Sequence, residues 1–278
     1  MPDLKDIRII FSDIDGTLLP FEGKDLGPTA GLIRSLIEAG FVFIPCTGRG
    51  THNIPREIKE IPGIRYAITA NGALITDLES GEVLYERRLA RSLARQVTDF
   101  LRPYNGLTYA YRRGQHYLDV RAGQSLPQSD KPSLQAWLKA VVPMDFDIFL
   151  EEEDSAFLDK MGFSTYDQTA RRRVREEIQS LACYPELFVC TSGFWNVEVN
   201  AAGANKGAAA LWLTEKLGFD RQQILAAGDN INDIPMLEAA AISLAPANGE
   251  PEVKAAATYQ VADCRENGVE NFLAQLLG

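Results

Sequence analysis

The chain has little sulfur, and its few cysteines are scattered. None of the four forms a CxxC pair; they are Cys46, Cys183, Cys190 and Cys264. In a protein of 278 residues this spacing argues against a disulfide framework or a zinc site, and we expect reduced structural thiols. Cys46, the one cysteine beside a motif, is expected to be a buried small hydrophobe.

Long apolar runs are missing too. No uninterrupted run approaches the roughly 18 apolar residues of a membrane span, and the first residues lack the apolar segment of a secretory signal. Basic residues are in deficit: 28 Lys and Arg face 38 Asp and Glu, for a formal net charge of −10. Long-range attraction to nucleic acid or anionic lipid is therefore not expected. We predict a cytoplasmic protein whose phosphate-bearing partners, if any, are small and locally held.

Short apolar segments predict the buried strands of a parallel sheet, because helical patterns separate several of them. At roughly 150 residues per domain, the length suggests two domains. The first helical pattern, at 28–39, carries an apolar stripe and is followed by Gly40, a plausible C-terminal stop. The predicted strands are residues 7–11, 41–45, 66–70, 224–227 and 241–244, with 259–262 as a candidate sixth, and hairpin-like turn signals follow the third strand at Asn71-Gly72 and Glu79-Ser80-Gly81. This alternation predicts an α/β fold with a Rossmann-like parallel sheet.

The middle of the chain loses this rhythm. From about residue 84 to 195 it is richer in Arg and Tyr and alternates more. We therefore predict a discontinuous core of residues 1–83 and 196–278, with an inserted α/β cap domain at 84–195. Ligands of open α/β sheets bind outside the carboxyl ends of the strands, so the residues at those ends are the candidate site.

Two carboxylates, Asp13 and Asp15, directly follow the first predicted strand in the segment FSDIDGTL. A plain turn would explain Gly16 but not the two acids, whose repulsion is costly unless they share a cation or a proton. A calcium loop starting at Asp13 is excluded, because its sixth and twelfth positions would be Leu18 and Lys24 instead of Gly and Glu. We interpret the pair as functional.

Other strand ends carry residues that are ordinary when taken alone. Thr47 and Gly48 could simply end a strand, and Lys206 could be a solvated lysine. Asp229 and Asp233 could be charges at the start of a helix. Taken together, carboxylates from two strand ends suit Mg²⁺, which prefers oxygen ligands, and the hydroxyl, amide and ammonium groups suit phosphate oxygens.

Five segments follow one another along the chain: DIDGT at 13–17, CTGR at 46–49, TANGA at 69–73, NKG at 205–207 and GDNINDIPML at 228–237. Their order resembles that of the haloacid dehalogenase superfamily, and more closely its Cof-type sugar phosphatases of subclass IIB. Those proteins carry a large α/β cap between the second and third motifs. Gly50 and Asn230 stand where serine is more frequent in the family, but neither change removes a catalytic group.

The resemblance implies a role for each matched residue. Asp13 would be the nucleophile that forms an aspartyl-phosphate, and Asp15 the acid for the leaving group and then the base for water. Mg²⁺ would be held by the Asp13 side chain, the Asp15 carbonyl and Asp229, supported by Asp233. The groups implied to contact phosphate belong to Ile14, Thr47, Gly48, Lys206 and Asn232. Arg49 is a candidate substrate contact.

The sequence therefore predicts a Mg²⁺-dependent phosphatase that acts on a small phosphorylated metabolite, with a sugar phosphate as the first expectation. Two alternatives stay open: a phosphomutase or phosphotransferase of the same superfamily and, less favoured, a non-enzymatic signalling module switched by an aspartyl-phosphate. The oligomeric state is left open.

The inserted domain is expected to exclude water from the site and to select the leaving group. Its charged residues, such as Arg112, Arg113 and His116, are more often a solvated face than substrate contacts. Its aromatic residues, such as Tyr109, Tyr111 and Trp195, are expected in the core.

Overall fold

The structure is a computed structural model, and it describes residues 4–20, 23, 25–120, 141–193 and 195–278. The chain divides into two compact units. The core unit comprises Met1–Glu86 and Ala204–Gly278, and the inserted unit comprises Arg87–Gly203. No helix in the described part of the chain combines the length and the apolar character that a membrane span requires.

Five parallel strands form the central sheet of the core unit. In order across the sheet they are β16 (Tyr259–Val261), β15 (Ile242–Pro246), β14 (Ile224–Ala227), β1 (Ile9–Ser12) and β2 (Val42–Pro45). Every residue of β1, β14 and β15 is buried, as the near-continuous apolar sequence of a doubly covered parallel strand requires. The α/β fold and these five predicted strands are confirmed, with their ends shifted by at most two residues.

The predicted parallel strand at 66–70 is a partial error. It forms β3 (Tyr66–Thr69), which pairs antiparallel with β4 (Leu74–Asp77). β4 in turn pairs with β5 (Val83–Glu86), and β3 meets the main sheet through one parallel bridge between Cys46 and Ile68. An apolar run does not show which way its neighbour points; here the turn at Ala70–Gly72 reverses the chain and makes the partner antiparallel.

Helices cover both faces of the core sheet. Those of the core unit are α1 (Gly27–Glu38), α2 (Arg56–Lys59), α6 (Lys206–Lys216), α7 (Ile234–Ala239), α8 (Pro251–Ala256) and α9 (Gly268–Leu273). The predicted helix at 28–39 is confirmed as α1, which buries Ile33 and Leu36. Gly40 ends it with a φ of 94° and donates its N–H to the Ile37 carbonyl.

The inserted unit is built on a six-stranded sheet. Its order is β12 (Leu187–Cys190), β13 (Asn196–Ala201), β11 (Lys160–Ser164), β7 (Leu107–Arg112), β8 (Gln115–Asp119) and β9 (Val142–Met144). A separate pair joins β6 (Leu89–Ala90) to β10 (Phe157–Leu158). The helices described in this unit are α3 (Arg91–Leu101), α4 (Phe146–Phe149) and α5 (Gln168–Glu177).

The unit boundaries differ from the predicted ones at 84 and 195. β5 pairs with β4, so residues 84–86 stay with the core unit. β13 pairs with β11 and β12, so residues 196–203 belong to the inserted unit. Apolar and polar residues alternate along β13, past the predicted boundary at Trp195, and the polar Glu198 and Asn200 are buried as well.

Side chains of the inserted unit revise three minor expectations. The Arg112 side chain is only 12% exposed, is hydrogen-bonded to Glu152 and lies 4.7 Å above the rings of both Tyr117 and Phe149, so its predicted solvated position is wrong. His116 is buried against the Tyr111 ring, so its predicted solvated position is wrong as well. Trp195 is half exposed and packs edge-on against Tyr166 instead of joining the core. Tyr109 and Tyr111 are buried, as expected.

Candidate active site

The acidic loop after β1 is a tight turn. The Asp13 amide donates to the Ala227 carbonyl and so extends the β1–β14 pairing by one step (2.9 Å). The amides of Leu18 and Leu19 then fold back onto the Ile14 carbonyl. Gly16 has a φ of 84°, and a Cβ there would lie 2.2 Å from Asp229 Oδ2. Glycine is therefore required for the loop to lie against Asp229.

Lys206 bridges two carboxylates at the first residue of α6. Its Nζ donates to Asp13 Oδ1 and to Asp233 Oδ1, each at 2.5 Å, and its side chain is fully buried. Burial alone would lower the pKa of Lys206, but the charges of Asp13 and Asp233 outweigh it and raise that pKa. The ammonium group therefore stays charged, and its acidic partners offset its unfavourable position at a helix N-terminus.

Three buried carboxylates converge around this lysine. Oxygen atoms of Asp13, Asp229 and Asp233 all lie within 4.8 Å of one another. Burial, reinforced by Asp233 and Asp15 and opposed by Lys206, raises the pKa of Asp13 to about 7. Burial and the charge of Asp13 raise the pKa of Asp229 well above its ordinary value. One ammonium group does not balance three carboxylates, so the cluster has excess negative charge to offer a cation.

Asp233 uses both of its oxygens inside the protein. Oδ1 accepts from Lys206, while Oδ2 accepts from the backbone amides of Asp229 (3.1 Å) and Asn230 (2.9 Å). These bonds close the loop between β14 and α7 and place Asp229 beside Thr17, whose hydroxyl donates to Asp229 Oδ1 (2.9 Å). Asp233 thus orients the lysine and its own loop.

The end of β2 brings Arg49 to Asp15. Arg49 Nε donates to Asp15 Oδ2 at 2.7 Å and Nη2 donates to Oδ1 at 2.6 Å, a two-pronged ion pair. Nη1 donates to the Asn53 carbonyl, and the Arg49 amide donates to the Thr47 hydroxyl (3.1 Å). All three nitrogens of the guanidinium group therefore donate hydrogen bonds, which fix its orientation.

The predicted site residues fall into three contact groups. Asp13, Lys206, Asp233 and Asp229 form the first, and Arg49 with Asp15 forms the second. Asn232 forms the third, because its Nδ2 donates to Asn71 Oδ1 at 3.0 Å. The chain itself places the remaining predicted residues: Ile14 lies between the two aspartates, and Thr47 and Gly48 directly precede Arg49.

Sequence reasoning gave no role to three residues in the site. Thr17 and Asn71 lie inside the quoted segments DIDGT and TANGA, so membership of these segments could have marked them as candidate site residues. Asn248 lies in no motif singled out from the sequence. Its Nδ2 donates to the Gly16 carbonyl (2.7 Å), and its Oδ1 accepts from the Cys264 amide (2.9 Å), so it ties the acidic loop to the chain after β16.

The donor set fits a hard divalent cation. The cluster offers carboxylate oxygens from the ends of β1 and β14, and burial together with neighbouring negative charge raises the pKa values of Asp13 and Asp229. A bound cation would stabilise both groups in their charged form. An all-oxygen site of this kind suits Mg²⁺ better than a thiophilic metal. The Cys46 thiol, which lies within electrostatic range of Lys206 and Asp13, is buried, and burial raises its pKa well above the ordinary value.

Comparison with known proteins decides the family. The model of the haloacid dehalogenase-like hydrolases matches residues 10–273. The chain belongs to this family. It is 32% identical, over 95% of its length and 93% of the relative, to the 5-amino-6-(5-phospho-D-ribitylamino)uracil phosphatase YcsE of Bacillus subtilis. It is 29% identical to the HMP-PP phosphatase of Klebsiella pneumoniae, over 95% of this chain and 94% of that protein.

Solved structures of haloacid dehalogenase-like proteins share the fold. A haloacid dehalogenase-like hydrolase from B. subtilis superposes with a TM-score of 0.83 at 22% identity, covering 98% of this chain and all of that one. The subclass IIB sugar phosphatase BT4131 superposes with a TM-score of 0.81 at 21% identity, covering 96% and 98%. The recognition from motif order is confirmed, and the protein is an enzyme of the phosphatase class in this family.

Proposed function

We propose that this protein is a Mg²⁺-dependent phosphatase that hydrolyses the phosphomonoester of a small metabolite through an aspartyl-phosphate on Asp13. The observation that carries the proposal is the buried cluster in which Lys206 bridges Asp13 and Asp233 beside Asp229. Phosphoryl transfer needs a positioned nucleophile and fixed positive charge for the phosphate oxygens, and this cluster contains both.

In the first half-reaction, an Asp13 carboxylate oxygen attacks phosphorus and the bond to the leaving oxygen breaks. Asp15 gives its proton to that oxygen, so the product leaves as a neutral alcohol. In the second, Asp15 takes a proton from water, the water oxygen attacks phosphorus, and the bond to Asp13 breaks to release phosphate. Both Asp15 oxygens accept hydrogen bonds from Arg49, which fixes the position of the carboxyl group. This contact must open, and Asp15 must take up a proton from solvent, before it can act as the acid of the first half-reaction.

Mg²⁺ would be held by Asp13 and Asp229, with Asp233 behind them and the Asp15 carbonyl as a further ligand. When bound, it supplies positive charge that lets a carboxylate approach a phosphate dianion. Lys206, Thr47 and Asn232 would donate to the phosphate oxygens together with the amides of Ile14 and Gly48. Lys206 is fixed for this by its two carboxylate partners.

The candidate substrates come from the relatives' names. 5-Amino-6-(5-phospho-D-ribitylamino)uracil ranks first, because the relative named for it is 32% identical over nearly the whole chain. HMP-PP and simple sugar phosphates follow. A cytoplasmic location completes the proposal and is supported by the four cysteines, which are all buried and form no disulfide. Selection of the leaving group by the inserted unit stays a prediction.

The test is inorganic phosphate release from these substrates and from an aryl phosphate, with Mg²⁺ or with chelator. Wild type is compared with Asp13→Asn and with Asp6→Asn, a matched change at an exposed aspartate. Release that needs Mg²⁺ and Asp13 but not Asp6 supports the proposal. Isomerisation of a sugar phosphate without phosphate release would replace it with a mutase, and a long-lived phosphoenzyme without turnover would replace it with a switch.

A further inference from the structure

The turn between β3 and β4 has an unusual backbone. Three consecutive residues have positive φ angles: Ala70 at 50°, Asn71 at 61° and Gly72 at 97°. Only the last is a glycine, and residues with a Cβ rarely adopt this region. Such strain persists only where the surroundings hold it in place, and it clusters at functional sites.

Two loops of the site meet this turn through its backbone. The Ala70 amide donates to the Arg49 carbonyl (2.9 Å), and the Asn71 amide donates to the Thr47 carbonyl (3.1 Å). The loop after β2 thus receives two consecutive hydrogen bonds from residues in the left-handed region. Relaxing either residue to an ordinary φ would turn these amides away from their acceptors.

Gly72 brings the same turn against the start of α6. A Cβ on Gly72 would lie 2.2 Å from the Asn205 carbonyl oxygen and 2.7 Å from the Lys206 amide nitrogen. Backbone therefore packs directly on backbone at the residue that carries the bridging ammonium group. The turn contacts the Thr47–Arg49 loop on one side and the Lys206 helix on the other.

The Asn71 side chain makes the third connection. It is fully buried, and its Oδ1 accepts one N–H of the Asn232 carboxamide, which is 2% exposed. Asn232 Oδ1 is buried and has no hydrogen-bond partner in the described structure. A carboxamide torsion is broad, so one hydrogen bond at Nδ2 decides how this group is turned. Asn232 directly precedes Asp233, a partner of Lys206.

We propose that Asn71 is a positioning residue for phosphoryl transfer. Its carboxamide sets the orientation of Asn232, so that the second N–H of Asn232 Nδ2 is held ready for a phosphate oxygen, while its strained backbone holds the Thr47–Arg49 loop in register with Lys206. This inference rests on the proposed function. It assigns a role to a residue that is neither the proposed nucleophile, the acid, the bridging lysine nor a metal ligand.

The test is a double-mutant cycle. Asn71→Gly keeps the left-handed backbone and removes the carboxamide, and Asn232→Ala removes the group it orients. We expect kcat to fall about 10- to 100-fold in Asn71→Gly with little change in KM, as the loss of a positioning contact predicts. In the Asn232→Ala background, Asn71→Gly should add almost nothing. Inhibition by vanadate should weaken in Asn71→Gly more than inhibition by phosphate does.

The control is Asn267→Gly, the same chemical change at an exposed residue with the same left-handed backbone (φ 56°). It should leave kcat, KM and vanadate inhibition unchanged. Wild type is assayed first: an inactive wild type overturns the proposed function. With an active wild type, additive losses in the cycle, or a drop in thermal stability without any change in kcat, overturn the role of Asn71.

Discussion

Arg49 holds Asp15 through both carboxylate oxygens, at 2.7 and 2.6 Å, while its remaining terminal nitrogen is anchored on the Asn53 carbonyl. The two residues come from the ends of adjacent parallel strands, β2 and β1. A planar guanidinium group matches a carboxylate in this geometry, which a lysine ammonium cannot reproduce. The orientation of the proposed proton carrier is therefore set by the neighbouring strand.

Replacing Arg49 by lysine should separate positioning from substrate contact. We expect Arg49→Lys to lower kcat about tenfold or more with a small change in KM, because Asp15 loses its two-pronged support. Steady-state kinetics on the best substrate measures both constants. Arg56→Lys, at an exposed ion pair with Glu60, is the control and should leave kcat and KM unchanged. A rise in KM alone would make Arg49 a substrate contact instead.

Asp229→Asn should raise the thermal stability of the metal-free protein at about pH 8. The pKa of Asp229 is raised in the folded state, so the native protein binds this proton more tightly than the unfolded chain does. The group's contribution to stability therefore falls as pH rises above its ordinary value, and the asparagine variant escapes that loss. Thermal unfolding in chelator between about pH 5 and pH 8 tests this, and the advantage of the variant should shrink towards acid.

Two further measurements check the origin of that effect. Mg²⁺ should stabilise wild type but not Asp229→Asn, because a ligand that binds only the native state raises its stability. Asp77→Asn should lower the thermal stability at about pH 8, opposite to Asp229→Asn, because Arg65 and nearby amides lower the pKa of Asp77. A carboxyl group of that kind stabilises the fold at neutral pH and loses its effect in acid. A lower stability of Asp229→Asn than of wild type in chelator at about pH 8 would contradict a pKa raised by burial and neighbouring charge.

Gly207→Ala should destabilise the protein although alanine is the better helix former. A Cβ on Gly207 would lie 2.1 Å from the Pro235 carbonyl oxygen, so α7 would have to move away from α6. We expect a loss of about 1–3 kcal/mol in the free energy of unfolding, measured in urea, together with lower activity because Asp233 moves from Lys206. Gly31→Ala in α1 has open space and should instead stabilise by about 0.5–1 kcal/mol. Equal effects at the two glycines would contradict this packing argument.

Lys160→Met should strongly destabilise the inserted unit. Lys160 and Glu198 form an ion pair that is almost completely buried, and the Tyr109 hydroxyl donates to the same carboxylate (3.0 Å). Removing one partner leaves a buried charge, for which a loss of about 3–5 kcal/mol is expected. Calorimetric unfolding should show recovery when Glu198→Gln is added. Arg173→Met, at the exposed ion pair with Glu177, is the control and should change the stability little. An effect of Lys160→Met as small as that of the control would refute the prediction.

The sequence predicted the fold well where local signals and topology agree. Both predicted ends of β14 were correct, and the predicted ends of α1 differ from the observed ones by one residue each. Apolar runs and helix-ending glycines such as Gly40 are local features, so the sequence shows them directly. The turn signal at Asn71-Gly72 was correct, but the parallel orientation given to β3 was wrong, and the continuation of the inserted unit to residue 203 was missed. That continuation depends on the pairing of β13 with β11, which is distant in the chain.

In the site, motif order pointed to residues that the fold brings together, but not to their contacts. Asp13, Lys206 and Asp233 were all among the predicted residues, yet no pattern shows that one ammonium group bridges two carboxylates. The contact between Arg49 and Asp15 is equally invisible in the sequence. Asn248 reaches Gly16 over more than two hundred residues, so only the folded chain reveals it.

The order of strands in the core sheet bears on how this enzyme is made. β1 pairs with β2, which follows it closely, and with β14, whose Ile224 lies opposite Ile9. During synthesis the edge of β1 that pairs with β14 stays unpaired until the whole inserted unit has left the ribosome. Asp13 meets Lys206 only after that long delay. Catalytic competence is therefore among the last properties the nascent chain acquires, and a product cut short before β14 would carry the nucleophile without its counter-charge.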